Sequence, residues 1–411
     1  MSEIKKLIER LCPGGVEYKK LGEIGTFTRG NGLQKKDFTD EGFPCIHYGQ
    51  IYTRFGLFTD KTLSYCSSDL AAKLVKAKKG DMIIACTSEN VEDVCKSVVW
   101  LGEGEIATGG HACVFSHNQD PKYVAYFFRS EHFFAQKKRY AKGVKVIDIK
   151  IGDLEKIEIP VPPIEVQSKI VEILDNFTEL EAELEAELEA RKKQYEYYRN
   201  QLLTFDKVGG VESNVKWMKL GEICDTLSGF PFDSSKFKDE GIQLMRGANI
   251  KRGYFDFSSE LNKYWESSEG LEKYLLEPND IIISMDGSLV GKSFCYLKKE
   301  HLPLLLVQRV ARLRTKENFK YIYYNITNSF SDYVDKKKTA GAIPHISMKD
   351  INGFTIPIPP LEEQKRIVSI LDRFEALTTD LQSGLPAEIE ARRKQYEYYR
   401  EKLLTFKRKT A

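Results

Sequence analysis

The sequence lacks long hydrophobic runs, and this absence excludes a protein that spans a membrane through a helix. None of its apolar stretches reaches the roughly 18 residues that such a helix needs. The first residues, Met-Ser-Glu-Ile-Lys-Lys, have no apolar centre of the kind found in signal peptides. We therefore expect a cytoplasmic protein with no membrane partner.

Clustered cysteines and histidines are also missing. The 8 cysteines are scattered without a Cys-x-x-Cys pair, and the 6 histidines show no metal-ligand spacing. Zinc sites and disulfide frameworks both need closely spaced ligands. We therefore expect reduced thiols and no bound metal.

The motifs of an independent catalyst are missing as well. An adenine methyltransferase needs Asn/Asp-Pro-Pro-Tyr/Phe, but the two Pro-Pro pairs here are followed by Ile164 and Leu361. The segment from Asp286 to Ser293 nearly fits a phosphate-binding loop, but its first glycine is shifted by one position and a strand-like segment follows it. We expect neither methyl transfer nor nucleotide binding by this chain.

What the chain does contain is a duplication. Val16-Glu-Tyr-Lys-Lys-Leu-Gly-Glu-Ile matches Val215-Lys-Trp-Met-Lys-Leu-Gly-Glu-Ile at an offset of 199. The offset is 197 at Ile-Pro-Val-Pro-Pro and Ile-Pro-Ile-Pro-Pro, and 201 at the two Tyr-Glu-Tyr-Tyr segments. The chain is therefore two copies of one unit, each a globular part followed by a helical part.

Both helical parts show one apolar stripe, because apolar residues recur every three or four positions after the proline segments. A helix of about 40 residues spans roughly 60 Å, so it buries such a stripe only against another long helix. The stripe residues that we predict to pair the two helices are Ile170, Leu174, Phe177, Leu180, Leu184, Leu188, Tyr195, Tyr198, Leu202, Ile367, Leu371, Phe374, Leu377, Leu381, Tyr396, Tyr399 and Leu403.

The two helical parts differ in one respect. The first carries a Leu-Glu-Ala-Glu repeat that begins at Leu180, which favours an unbroken helix. The second carries Gly384 and Pro386, which should break or kink its helix. Strict symmetry of the two helices is therefore not expected.

The fold class predicted is α+β: two similar mixed α/β domains separated by two long antiparallel helices that form a coiled-coil spacer, with pseudo-two-fold internal duplication. The predicted domains are 1–158 and 212–355, and the predicted helical segments are 159–211 and 356–411. Runs 82–85 and 281–284 indicate buried strands, runs 123–128 and 321–326 favour helix, and 2–11 indicates a short helix.

Charge is divided unevenly along the chain. The net charge is +2, but residues 159–205 carry −5 and residues 356–406 carry −1, which leaves +8 on the remainder. Basic globular parts favour an anionic ligand.

This arrangement resembles the specificity (S) subunit of type I restriction–modification enzymes over nearly the whole chain. The resemblance rests on the duplicated order, on the two Ile-Pro-x-Pro-Pro segments with Gln167 and Gln364 after them, and on the two Gln-Tyr-Glu-Tyr-Tyr-Arg helix ends. It implies two target-recognition domains, each binding one half of a bipartite double-stranded DNA target in the major groove. It also implies that the helices set the distance between the half-sites and that the stripe residues dock partners.

The implied partners are two methyltransferase (M) subunits, together with restriction (R) subunits. The resemblance implies a chain without catalytic residues, cofactor or metal, because S-adenosylmethionine, Mg²⁺ and ATP would be held by those partners. The isolated chain should self-associate through its exposed apolar stripes.

Candidate DNA contacts lie at equivalent places in the two domains. Base edges are read by polar side chains with paired donors and acceptors, and phosphates are bound by Lys and Arg. The base-contact candidates are His47, Gln50, Thr87, Ser88, Asn90 and His111 in the first copy, and Arg246, Asn249, Asp286, Ser288, Gln308 and Arg309 in the second. The phosphate-contact candidates are Lys137, Lys138, Arg139, Lys336, Lys337 and Lys338.

Two other hypotheses remain open. A non-catalytic coiled-coil scaffold holding two interaction modules explains the helices equally well, but not the basic charge on the globular parts. An orphan S-like subunit that serves another methyltransferase explains every feature of the sequence. The sequence predicts neither the target nor the spacer length.

Overall fold

The computed structural model describes residues 2–205, 215–337, 344–380 and 383–409. Contacts divide the chain into two compact units. The first unit is Met1–Glu185 with Glu388–Ala411, and the second unit is Ala186–Ala387. Each unit thus joins one globular part to portions of both helical segments.

The globular part of the first unit mixes short helices and strands and leads into one long helix. The helices are α1 Ser2–Leu11, α2 Leu21–Ile24, α3 Tyr48–Thr53, α4 Ser68–Ala71, α5 Pro121–Phe127, α6 Glu131–Tyr140, α7 Ile151–Leu154 and α8 Ile164–Leu203. The strands are β1 Tyr18–Lys20, β2 Gly25–Arg29, β3 Phe43–Ile46, β4 Phe58–Thr59, β5 Ser64–Cys66, β6 Val75–Ala77, β7 Met82–Ala85, β8 Thr87–Ser88, β9 Ser97–Trp100, β10 Ile106–Thr108, β11 Ala112–His117, β12 Ile147–Asp148 and β13 Glu158–Pro160.

Two sheets form the centre of this part. One has the order β2-β11-β7-β9-β4 and the other the order β5-β3-β10-β6. Their neighbours are antiparallel except for the β3–β10 and β4–β9 pairs, which are parallel. All four residues of β7 are buried, so the unbroken apolar run that predicted this strand reflects a strand covered on both faces.

The second unit repeats this plan. Its strands are β14 Lys216–Lys219, β15 Cys224–Ser228, β16 Ile242–Met245, β17 Tyr264–Trp265, β18 Ile281–Ser284, β19 Phe294–Tyr296, β20 Leu304–Leu306, β21 Val310–Thr315 and β22 Thr355–Ile358. Its helices are α9 Leu220–Ile223, α10 Phe319–Asp335, α11 Met348–Asn352 and α12 Leu361–Thr379, and α13 Leu385–Leu403 follows. The sheet orders β15-β21-β18-β19 and β17-β16-β20 reproduce β2-β11-β7-β9 and β5-β3-β10 of the first unit, without its outer strands β4 and β6 in the described residues, and β16 and β20 are again parallel.

An aromatic helix closes each core. Tyr123 and Tyr126 on α5 and Tyr321 and Tyr324 on α10 are fully buried. Each helix begins with a side-chain cap, from Asp120 and Asn318 respectively, which accepts from two backbone N–H groups. The helices predicted for both aromatic runs are confirmed, as is the short helix at the start of the chain.

The glutamine after each proline segment is a buried polar anchor. Gln167 accepts from the backbone N–H of Asp120 at 3.0 Å and donates to the carbonyl of Pro162 at 2.8 Å. Gln364 makes the same two contacts, with Asn318 at 3.2 Å and Pro359 at 2.9 Å. Both side chains are completely buried, so each one fixes the start of a long helix on the start of the aromatic helix.

Within each unit, the start of one helical segment packs against the end of the other. In the first unit Phe177 stacks on Tyr399 at 5.4 Å, and Arg393 binds Glu181 at 2.8 Å. Residue numbers rise along α8 as they fall along α13, so this pairing is antiparallel. In the second unit Phe374 stacks in the same way on Tyr198, at 5.6 Å.

Apart from the four stacked rings of Phe177, Tyr198, Phe374 and Tyr399, the predicted stripe divides into three groups. Ile170, Leu174, Ile367 and Leu371 are buried, but they belong to the cores of the globular parts rather than to a helix-only seam. Leu184, Leu188, Tyr195, Leu202 and Tyr396 are half-buried, and Leu403 is buried in the same core as Ile170 and Leu174. Leu180 and Leu377 are 44% and 38% exposed, so they do not close a helix seam. Leu381 lies outside the described residues.

The break expected in the second helical segment is present. Helix α12 ends at Thr379 and α13 begins at Leu385, whereas α8 runs unbroken from Ile164 to Leu203. All eight cysteines are free, and seven of them are buried. In the part of the chain that the structure describes, no helix is long and apolar enough to cross a membrane.

Candidate nucleic-acid interface

Five of the candidate base contacts in the second unit line one groove. Arg246 directly follows β16, Asp286 lies two residues after the end of β18, and Arg309 directly precedes β21. These strand ends meet around a groove of about 590 Å³. Its polar lining includes Ser234, Arg246, Lys251, Asp286, Ser288, Gln308 and Arg309.

Arg309 is an exposed charged residue of this groove, and an ion pair fixes the position of its side chain. Its Nη1 donates to Asp286 Oδ2 at 2.9 Å, while 64% of its side chain is exposed. Its backbone has φ +63°, a left-handed conformation that is uncommon for a residue with a side chain, and its carbonyl accepts from Met285 N at 2.9 Å. A guanidinium has five N–H donors, so one ion pair orients Arg309 and leaves donors for a ligand.

Asn249 does not face the groove, and its prediction as a base contact is wrong. It is completely buried, its Oδ1 accepts from Arg246 N at 3.2 Å, and its Nδ2 donates to the Asp256 carbonyl at 3.0 Å. Arg246 itself lies over the ring of Phe237 at 5.7 Å and donates to the Leu261 carbonyl at 3.3 Å. Asn249 therefore shapes the loop that carries Arg246.

Gln50 plays the equivalent part in the first unit, but it is only half-buried, so its base contact stays a prediction. Its Oε1 accepts from His47 N at 3.0 Å, and its Nε2 donates to Ser64 Oγ at 2.8 Å. His47 is only 6% exposed. Burial, with Lys35 and His111 nearby, lowers the pKa of His47, and its Nδ1 accepts from Gly49 N at 3.2 Å. His47 is therefore a neutral loop-capping residue with little surface for a ligand.

The remaining candidates of the first unit are His111, Thr87, Ser88 and Asn90, of which His111 and Asn90 are exposed. The His111 ring is exposed, packs on Tyr48 at 4.8 Å and contacts Thr87 Oγ1 through Nδ1 at 3.2 Å. Thr87 and Ser88 form β8 and line a cavity of about 450 Å³ together with Asn90 and Tyr52. Asn90 is exposed, but its amide already binds Asp93 through both ends, at 2.7 and 2.9 Å.

The structure thus brings different side chains to equivalent positions on one scaffold. His111 with Thr87 precedes β11 and follows β7, whereas Arg309 with Asp286 precedes β21 and follows β18. Among the described residues, no group of three or more His, Cys, Asp or Glu side chains could hold a metal ion.

Comparison with known proteins identifies the duplicated unit. The sequence profile of the type I restriction modification DNA specificity domain matches residues 13–190 and 212–391. The chain belongs to this family. The two matches correspond to the two copies found in the sequence, and the chain therefore carries two specificity domains in tandem.

Individual relatives agree with this assignment. The chain is 39% identical over 265 residues to the EcoR124I/EcoR124II specificity subunit of a type I restriction enzyme from Escherichia coli. That match covers 61% of this chain and 63% of the relative, so the chain spans slightly less than two thirds of the relative's length.

Solved structures share the fold. A chain from a study of complex assembly and conformational transition of the type I R-M system has 18% identity and a TM-score of 0.65, and the match covers 96% of this chain and 98% of that one. The HsdS subunit of Thermoanaerobacter tengcongensis has 19% identity and a TM-score of 0.53, with coverage of 96% and 97%. The predicted α+β fold with internal duplication is confirmed.

The basic clusters of the two specificity domains are only partly exposed. Lys137 is 5% exposed, and its ammonium donates to the carbonyls of Glu92 and Val94 at 2.9 and 2.7 Å. Burial lowers the pKa of Lys137. Lys137 is therefore a core residue, and its prediction as a phosphate contact is wrong.

The neighbouring cations remain available. Lys138 and Arg139 are exposed at the end of α6, and Lys336 and Lys337 are exposed after α10. Lys338 lies outside the described residues. Lys142 and Lys145 extend the first cluster and are exposed too. Sequence reasoning missed the two exposed valines beside them, Val144 and Val146, because no short pattern shows that an apolar side chain points into solvent.

Proposed function

We propose that this chain is the specificity subunit of a type I restriction–modification complex and recognises a bipartite double-stranded DNA target. One specificity domain reads each half-site. The observation that carries this proposal is the pair of equivalent strand-end surfaces with unlike polar side chains, His111 with Thr87 and Arg309 with Asp286. One scaffold that presents two different sets of donors and acceptors suits two different half-sites.

The chemistry of each surface favours a different contact. Arg309, oriented by Asp286, fits bidentate donation to the O6 and N7 atoms of guanine. His111, Thr87 and Ser88 offer hydroxyl and imidazole groups, which suit either donor or acceptor edges. Lys138, Arg139, Lys336 and Lys337 would bind phosphates, which fix register without reading sequence.

The helical segments would set the spacing and dock two methyltransferase subunits, and through them the restriction subunits. Leu180 and Leu377 expose apolar surface on the two segments, and so do Tyr197 and Tyr398, at 59% each. This exposed surface supports docking, as well as self-association of the isolated chain. The catalytic groups, S-adenosylmethionine, Mg²⁺ and ATP would belong to the partners, in the cytoplasm where their DNA lies.

The direct test is a map of methylated adenines on DNA from cells that make this chain with its methyltransferase subunit. We expect a two-part motif with a fixed gap that disappears when the chain is omitted. Deleting one Leu-Glu-Ala-Glu repeat, Leu184 to Glu187, should shorten α8 by about 6 Å and turn it by roughly 40°. The gap should then shorten by about two base pairs, while both half-sites persist.

Two results would count against the proposal. Methylation that is independent of the chain, although the subunits purify together, would support the coiled-coil scaffold. A deletion that alters a half-site and leaves the gap unchanged would show that the helical segments do not set the spacing.

A further inference from the structure

A loop of the first unit presents apolar side chains to solvent beside the candidate reading surface. It comprises residues 142–146 between α6 and β12. Val144 is 96% exposed and Val146 is 60% exposed. Burying a valine is normally favourable, so Val144 and Val146 would gain free energy from contact with an apolar feature of another molecule.

The loop has a defined shape. Lys142 and Asp148 exchange two backbone hydrogen bonds, of 3.1 and 2.8 Å, which close its base. Strand β12 pairs with β8, and Ile147 and Ile149 anchor the chain after the loop in the core. Gly143 has φ +125°, and a Cβ there would lie 1.9 Å from the Val146 carbonyl oxygen. Only glycine fits this position, so the turn holds Val144 at the tip.

The surroundings of the tip select its ligand. Val146 lines the same cavity as Thr87, Ser88 and Asn90. Lys142, Lys145 and Lys150 are exposed on and beside the loop. An apolar tip among cations, next to hydroxyl groups, matches the DNA major groove. There the C5-methyl group of thymine is the apolar feature, and phosphates line both edges.

We propose that Val144 recognises a thymine through its C5-methyl group within the half-site of the first specificity domain, with Val146 packing beside it and Lys145 on the backbone. This inference rests on the proposed function and adds a specificity-determining contact to it. It requires at least one A·T pair in that half-site.

The test uses the complex of this chain with its methyltransferase subunits and a duplex that carries the mapped target. Each thymine of both half-sites is replaced in turn by deoxyuridine, which lacks only the methyl group, and the dissociation constant is measured by fluorescence anisotropy. One position should weaken binding roughly fourfold, the value of one buried methyl group. Val144→Ala should cause a similar loss on the thymine duplex and no further loss on that deoxyuridine duplex.

Lys145→Ala is the matched control on the same loop. It should weaken binding equally on both duplexes, because a phosphate contact is indifferent to the methyl group. The inference is overturned if no deoxyuridine position matters, if the half-site lacks A·T pairs, or if Val144→Ala weakens binding equally on both duplexes. It is also overturned if Val144→Ala impairs only assembly with the methyltransferase subunits. Failure of the unmodified complex to bind its mapped duplex would instead refute the proposed function.

Discussion

Tyr126 in the first unit and Tyr324 in the second make equivalent contacts. Tyr126 donates to Asp175 at 2.6 Å, and Lys122 binds the other oxygen of that carboxylate at 2.6 Å. Tyr324, Asp372 and Lys320 reproduce both distances. At the strand ends, by contrast, His111 with Thr87 is matched by Arg309 with Asp286. The two copies therefore share the contacts that fix each globular part on its helix and differ in the groups that face a ligand.

The shared contacts also contain local exceptions. The Tyr324 hydroxyl lies 2.7 Å from Glu375, and Thr178 occupies the equivalent place in the first unit. His117 at the end of β11 corresponds to Thr315 at the end of β21. Thr315 donates to the Ile223 carbonyl at 2.8 Å, whereas His117 has a buried Nε2 without a partner. Because of such differences, a substitution can destabilise one unit while the other serves as its control.

The largest effect should come from the shared glutamines. Gln167→Ala or Gln364→Ala leaves a buried N–H and a carbonyl without partners and opens a cavity, which should cost about 3–5 kcal/mol of unfolding free energy. Hydrogen exchange should accelerate around residues 118–127 in the first variant and around 317–326 in the second. Gln395→Ala, on the exposed face of α13, should change stability by less than about 0.5 kcal/mol.

An effect confined to one unit would break this part of the comparison. If Gln167→Ala accelerates exchange and Gln364→Ala does not, the two anchors are not equivalent, despite their matched contacts.

The next effect is a dependence of stability on pH that only the first unit should show through His117. Burial lowers the pKa of His117 to about 4, against an ordinary value of 6.5, with Asp81 opposing the shift. The folded first unit thus binds fewer protons than the unfolded chain between these values, so stability falls as pH drops from 6.5 towards 4. The loss should reach about 3 kcal/mol at pH 4.

His117→Thr supplies the residue of the second unit and should remove this loss. Thermal unfolding of the original chain and of the variant at pH 7 and pH 4.5 measures how much stability each protein loses on acidification. The original chain should lose more. Identical pH dependence of the two proteins would show that His117 does not resist protonation in the folded state.

Much of the fold was predictable because it is carried by local patterns. The unbroken apolar runs at β7 and β18 and the periodicity of α8 are strong signals of burial. The break before α13 follows from Gly384 and Pro386 alone. Because the unit is duplicated, each secondary-structure prediction can be made separately in both copies. A wrong prediction in one copy then disagrees with the prediction in the other.

The candidate site was less predictable, because the sequence does not show which polar groups point outwards. Lys137 extends into the core to reach two carbonyls, and the amides of Asn249 and Gln50 are bonded at both ends within the protein. Val144 has the apolar character of a core residue, but the turn at Gly143 places it in solvent. Each outcome depends on tertiary contacts that no short pattern contains.

A smaller effect should distinguish the two reading surfaces. Arg309→Ala should reduce the free-energy difference between the correct and the wrong base by about 1–3 kcal/mol at one position of the second half-site. Recognition of the first half-site should not change. His111→Ala should act on the first half-site alone. Methylation mapping of both variants provides the measurement. Relaxation of both half-sites by one substitution would contradict the assignment of one domain to each half.

The smallest effect concerns phosphate binding and compares two neighbours on α6. Lys138 is exposed, so Lys138→Ala should lower the slope of log affinity against log salt by about 1, equally for all target variants. Lys137→Met keeps an apolar stem but removes the buried ammonium, so it should leave that slope unchanged while it weakens the first unit. Binding titrations of the complex at salt concentrations between roughly 50 and 200 mM measure this slope for both variants. A lower slope for Lys137→Met would mean that its ammonium leaves the carbonyls of Glu92 and Val94 when DNA binds, and the buried position would then describe only the free protein.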